Sequence, residues 1–430
     1  MVTWLRRPPP RLAVAIVALS VMALGACGSS VQGDDDDDDA PTTSSTGVGG
    51  AGGGPTGAGG AGGAGGAGGG EVFIPSEVEL VDLGTASPDP QGVTRFTFDI
   101  EAGTTSFALS VEPEPGGAVN QVVLVGVEGP SGSLLQTDLQ NGMPIGPFTT
   151  PVSNVPNAAF SLLYPNTPTL EVEPGSYAVS FFGVADEQLA AASRATLMIK
   201  TAEAPPMLGA FSLDIWFADN ALNLNSVTAP SDPDFQAALA EMRAIFDNAG
   251  LTIDDVIYRD VDNANLGIID DNLELAEIFS IPDTQRNGRV ALFIVESIDL
   301  TQQGVLLGVA PGAPGPASVA SAPHAGVVVS TFGFMLSPER VGKTMAHEVG
   351  HALGLDHTTE SDGVSHDPIP DTPECSQTQM GVAFPELCPN GGGANFMFWT
   401  GFQDSRAQRD VSSGQRQIMN GNPGISQEAP

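Results

Sequence analysis

His347 and His351 stand four residues apart, followed by Gly354 and His357, in the run Thr344-Met345-Ala346-His347-Glu348-Val349-Gly350-His351-Ala352-Leu353-Gly354-Leu355-Asp356-His357. On a helix, residues i and i+4 lie on one face, one turn apart. Two imidazoles so placed can both reach one zinc ion at about 2.0–2.1 Å. Gly354 lets the chain turn sharply out of the helix, because glycine takes φ > 0 without strain. The turn returns His357 as a third nitrogen ligand. Three protein ligands leave one tetrahedral position for water, which is a catalytic rather than a structural arrangement. Glu348, beside the first ligand, is placed to act on that water as a general base and not to bind the ion. A structural site would need a fourth protein ligand, and the run supplies none. The chain has five histidines, three of them here. The other two, His324 and His366, are read as surface residues.

These residues need a helix over the histidines and a scaffold behind it. Ser337-Pro338-Glu339 is a helix start, and Ser231-Asp232-Pro233 opens an earlier helix with Phe235, Leu239, Met242, Ile245 and Phe246 as its apolar stripe, ended by Gly250. Strands are expected at Phe211–Phe217, Thr252–Tyr258, Val290–Val295, Val305–Ala310 and Gly326–Ser330. The order is strand, helix, four strands, helix, with Asp260–Asp271 as a loop. Residues 204–430 therefore read as an α+β domain, a mixed twisted sheet with the histidine helix. Residues 71–203 read as an all-β sandwich. Its strands are Thr94–Ile100, Ser106–Val111, Gln121–Val127, Thr169–Val172, Ser176–Phe182 and Ala195–Lys200, with Pro/Gly turns between. That segment contains no His and no Cys.

The first 26 residues form an export signal: Arg6, Arg7 and Arg11, then the apolar run Leu12–Leu24, too short to span a bilayer comfortably. Leu24-Gly25-Ala26-Cys27 resembles the bacterial lipobox, which implies lipid on Cys27 and an envelope location, with Gly28 pointing to the outer membrane. Residues 27–70 read as an anchor and flexible stalk, with Asp34–Asp39 followed by a Gly/Ala/Ser/Thr tract. Acidic residues outnumber basic ones 51 to 15, for a net charge of -36. That excludes phosphate-backbone binding, so nucleic acid is not a partner; protein or peptide substrates and the membrane are. Of three cysteines, Cys375 and Cys388 remain as an even pair, expected as a disulfide closing a short loop in an oxidising compartment, with two free thiols or metal ligands as the alternatives.

The run HExxHxxGxxH is the long zinc signature of the metzincin metallopeptidases. The resemblance extends to Asn395-Phe396-Met397-Phe398-Trp399, where Met397 matches the methionine turn under the metal. It implies that Leu306, Leu307, Gly308 and Val309 form an edge strand that pairs with extended substrate. The sandwich loosely resembles accessory domains of secreted peptidases. Asp367-Pro368-Ile369-Pro370-Asp371-Thr372-Pro373, the cysteine pair and Ser412–Met419 are most similar to the pappalysin group over residues 206–422. That group binds calcium in this region, which singles out Asp362, Asp367, Asp371 and Thr372 as oxygen ligands. Trp399 departs from the pattern, standing where several metzincins carry a tyrosine. The expected activity is that of a zinc endopeptidase. The alternative is a lipid-anchored binding or adhesion protein with a vestigial zinc site.

Overall fold

The computed structural model describes residues 25–28, 74–113, 121–138, 143–145, 153–154, 160–185, 188–189, 192–281, 289–300, 306–315, 326–402 and 408–427. The signal run Leu12–Leu24, nearly all of the 27–70 stalk, Val305 and His324 lie outside these residues. No helix among the described residues is long and apolar enough to cross a membrane.

The chain forms a mixed α/β structure with several sheets and few helices. Two antiparallel sheets come first. One joins Ser76–Ala86, Ser193–Ala202, Thr104–Pro113 and Phe160–Tyr164; the other is built around Gly175–Ala185, flanked by Val93–Ile100 and Gln121–Gly129. Alternation drives their packing: in Val93–Ile100 every second residue is buried. Phe96, Phe98, Phe107, Leu109, Tyr164, Tyr177 and Phe181 fill one apolar cluster between the sheets. Thr169–Val172, expected to be a strand, is instead a loop entered through a turn in which Leu170 N–H donates to the Thr167 carbonyl. Its Leu170 and Val172 still pack on the core, which is why it alternates like a strand.

A second sheet system comes next, in the order Gly25–Gly28, Leu306–Ala310, Val327–Ser330, Val290–Val295, Gly209–Phe217, Leu251–Asp260. The last four run parallel, and Leu306–Ala310 is antiparallel to Val327–Ser330. Helix α1, Pro233–Asn248, is capped by Asp232, whose carboxylate accepts from Phe235 N–H at 2.8 Å, and buries the expected stripe. Gly250 ends it at φ 69°. A helix the sequence reading missed, α2 at Asn272–Phe279, corrects the expected order of elements. Asp271 caps it, and Leu275, Ile278 and Phe279 anchor it at helical spacing. The Asn/Asp-rich stretch before it masked a short helix whose own signal is three residues. Helix α3, Pro338–Ala352, is capped by Ser337, and the last helix, α4 at Ser413–Gly421, opens with a Ser412/Gln415 capping box. Gly342 lets α3 approach α1: a Cβ there would lie 2.3 Å from the Ala238 carbonyl oxygen.

Candidate metal centre

Helix α3 carries His347, Glu348 and His351, all buried. It ends in a Schellman motif: Gly354 at φ 109° donates to the His351 carbonyl, and Leu355 N–H donates to the Gly350 carbonyl. The chain then runs back beneath the helix, where Thr358 N–H donates to the Met397 carbonyl at 3.0 Å. This return brings His357 to the other two imidazoles. The three Nε2 atoms form a nearly equilateral triangle with edges of 3.1, 3.1 and 3.2 Å.

The other ring nitrogens fix the tautomers. His347 Nδ1–H donates to the Phe396 carbonyl at 2.8 Å and His351 Nδ1–H to the Leu355 carbonyl at 2.7 Å. A carbonyl can only accept, so both Nδ1 atoms carry the proton. His357 Nδ1 lies 3.0 Å from Glu360 Oε1 and makes the same kind of bond. All three rings then turn their Nε2 atoms inward. Burial holds His347 down to about pKa 3 and His351 well below the usual histidine range, with the neighbouring imidazoles adding to both shifts. Three lone pairs facing one another in a dry pocket repel unless a cation lies between them. Bonds of 2.0–2.1 Å to a tetrahedral zinc place nitrogens about 3.3 Å apart, close to the triangle present. The donor set fits zinc. Among the described residues this is the one group of three or more His, Cys, Asp or Glu side chains able to grip an ion together.

Met397 is fully buried, in a turn where its N–H bonds Asn395 Oδ1 at 2.9 Å. Its sulfur lies under Gly350, where a Cβ would come within 2.6 Å of it. Glu348 packs on the Leu306–Ala310 strand, and a Cβ on Gly308 would stand 2.5 Å from Glu348 Oε1. The outer side of that strand carries the Gly25–Gly28 segment, antiparallel, with Gly25 opposite Ala310 and Gly28 opposite Leu306. In this structure, then, Leu306–Val309 is not the edge of the sheet, and Cys27 lies in the segment that covers it.

Cys375 and Cys388 form a disulfide with Cα atoms 5.8 Å apart. The bridged loop accepts the Trp399 indole N–H at the Ala383 carbonyl, 2.6 Å away, so that ring is committed to the loop. The four oxygen donors do not converge. Asp362 closes its own turn on Val364 and Ser365. Asp371 accepts from Ser412 and Gly414 at the start of α4. Asp367 and Thr372 do touch, at 2.5 Å. Burial raises Asp367 to about pKa 6, against the pull of the Thr372 and Ile369 bonds, and its Oδ2 has no partner among the described residues. His366, expected at the surface, keeps only 16% of its side chain exposed and lies against the Thr358 carbonyl.

Sequence reasoning missed the residues that hold the three histidines in place. Glu360 could have been found by asking what fixes His357 three residues earlier. The Gln415 amide makes two bonds with Asn395, of 2.8 and 3.1 Å, and so ties α4 to the methionine turn. Nothing in the sequence marks that pair.

No family model matches the chain, and no curated protein matches it. Among solved structures it is similar to metalloproteinase-II from Bacteroides fragilis, at 14% identity over 38% of this chain and 54% of that one, with a TM-score of 0.23. It thus spans about half the length of that protein. It is also similar to a virus-like particle protein of the Macrobrachium rosenbergii extra small virus (13% identity, 30% and 80% covered, TM-score 0.14). A third similarity is to a family two carbohydrate esterase from Cellvibrio japonicus (12% identity, 51% and 67% covered, TM-score 0.13). At TM-scores this low, function must be argued from the chain's own three-imidazole site.

Proposed function

We propose that the chain is a zinc-dependent endopeptidase of the metzincin kind, most similar to the pappalysin group. In this reading residues 204–430 form the peptidase domain and residues 71–203 a β-sandwich accessory domain. The observation that carries the reading is the convergence of three Nε2 atoms, each on a ring whose Nδ1 is turned outward to an acceptor. His347, His351 and His357 would hold the ion, which supplies a polarised carbonyl and an acidified water when bound. Glu348 takes the proton of the attacking water and hands it to the leaving amine. Its burial in α3 against Gly308 holds the carboxylate in one place for both transfers. Extended substrate would add to the outer side of Leu306–Ala310 by β-augmentation. The antiparallel seating of Gly25–Gly28 there supports this, and removing residues 1–26 as a signal peptide would open that side.

Cys27 is proposed as the lipid attachment site, tethering the protein to the bacterial envelope at the outer membrane. Replacing Cys27 by Ser should move the protein from the detergent-rich to the aqueous phase. A calcium ion after α3 would be held through Asp367, and would require Asp362 and Asp371 to give up their present bonds.

Casein zymography with and without a zinc chelator tests the activity. A cleared band that disappears with chelator and returns with zinc is expected. Cleavage at the wild-type rate by Glu348→Ala would refute the assignment, and no cleavage by the zinc-loaded wild type would favour the adhesion reading.

A further inference from the structure

Lys200 sits on the Ser193–Ala202 strand of the two-sheet region and is fully buried, yet no carboxylate among the described residues meets it. Its Nζ donates to three backbone carbonyls, those of Asn420 at 2.8 Å, Asn422 at 3.0 Å and Ile425 at 2.8 Å. These are the carbonyls at the end of α4 and just beyond it. An ammonium has three donors, and all three are used. Burial pushes the Lys200 pKa well down. A neutral amine, however, would turn a lone pair towards the third carbonyl, so the grip itself holds the proton.

The held residues lead to the metal centre by two routes. Asn422 Nδ2 donates to the Leu353 carbonyl at 3.1 Å, the C-cap of the helix bearing His347 and His351. At its other end α4 presents Gln415 to Asn395, which fixes the turn carrying Met397 and the Phe396 carbonyl that orients His347. Further contacts close the same seam. Ser106 Oγ donates to the Gly421 carbonyl, Ser76 Oγ to Gln427 Oε1 at 2.5 Å, and Thr167 Oγ1 to the Pro368 carbonyl at 2.9 Å. Ala108, Leu163 and Met198 of the two-sheet region belong to the same apolar core as Met345, Val349 and Met397.

We propose that Lys200 is a positioning residue for the metal centre, and that the two-sheet region is a permanent part of the active-site scaffold, not a detachable propeptide. The proposal rests on the zinc peptidase reading above. The test uses the full chain loaded with zinc. Lys200→Met keeps the side chain's length and removes its donors. Zinc transfer to a competing chelator should become at least tenfold faster and kcat should fall at least fivefold, with KM within twofold of wild type. Val179→Ala, deep in the two-sheet core and away from the seam, should lower the melting temperature and leave both readouts unchanged. Asn422→Ala should move both in the direction of Lys200→Met, and replaces it if that variant does not fold. Wild-type zinc transfer and kcat in the folded variant, or equal effects from Val179→Ala, would overturn the proposal.

A wild-type chain that holds no zinc would instead defeat the peptidase reading. The seam is then read by cutting at an engineered protease site between Glu203 and Ala204. The wild-type halves should stay together in gel filtration and the Lys200→Met halves should part. Wild-type halves that separate, or variant halves that stay together, would contradict the proposal.

Discussion

Two neighbouring stretches are both rich in ligand atoms, and they behave differently. The three histidines of residues 347–357 meet within 3.2 Å of one another. The oxygen donors of residues 362–372 do not gather at one point: Asp362 goes to its own turn, Asp371 to the start of α4, and Asp367 and Thr372 bond each other. On a helix, spacing fixes direction, and a turn of known type fixes where the next residues go. In a loop, Asp and Thr satisfy nearby backbone N–H groups first. Which side chains come together was therefore readable where the backbone was regular and not where composition was the only guide.

Glu348→Ala should lower kcat by about 10²–10⁴-fold while one zinc per chain is retained by elemental analysis. Gly308→Ala puts a methyl where Glu348 Oε1 now lies. The carboxylate must move, and a misplacement of about 1 Å costs on the order of 10²-fold in kcat, again with zinc retained. Glu360→Gln weakens the acceptor behind His357. Zinc affinity by competition titration should fall about tenfold, the low end for such partners, because Glu360 is half exposed. Asp371→Ala should cost about 1 kcal/mol of stability, as loss of a helix N-terminal acceptor does, with zinc affinity unchanged. A loss of zinc from that variant would erase the distinction between the two stretches.

The smallest effect concerns Asp367, raised by burial to about pKa 6. Its folded pKa lies above its unfolded one. Its contribution is therefore fully present below about pH 4 and lost as pH rises through 6. In chelator, Asp367→Asn should melt above wild type at pH 7, and the gap should close between pH 6 and pH 4.

The grouping of the three histidines, the caps at Asp232 and Ser337, and the five strands expected in residues 204–430 were legible because each depends on residues close in sequence. Helix α2 was not, since three apolar residues after an Asp-rich run resemble the end of a loop. The Ser76–Ala86 strand was missed because its outward face leaves Val78 and Leu80 exposed, which blurs the alternation. Long-range ties such as Lys200 to Asn420, or Gln415 to Asn395, leave no local trace. A lysine in a strand reads as a solvent-facing residue until the helix end it caps is known.

X-ray absorption spectroscopy at the zinc edge on the purified full chain reads the coordination by His347, His351 and His357 itself. One zinc per chain is expected, bound by three imidazole nitrogens and one further light atom, with one imidazole lost in His357→Ala. A spectrum without three imidazoles, or one that His357→Ala leaves unchanged, would contradict it.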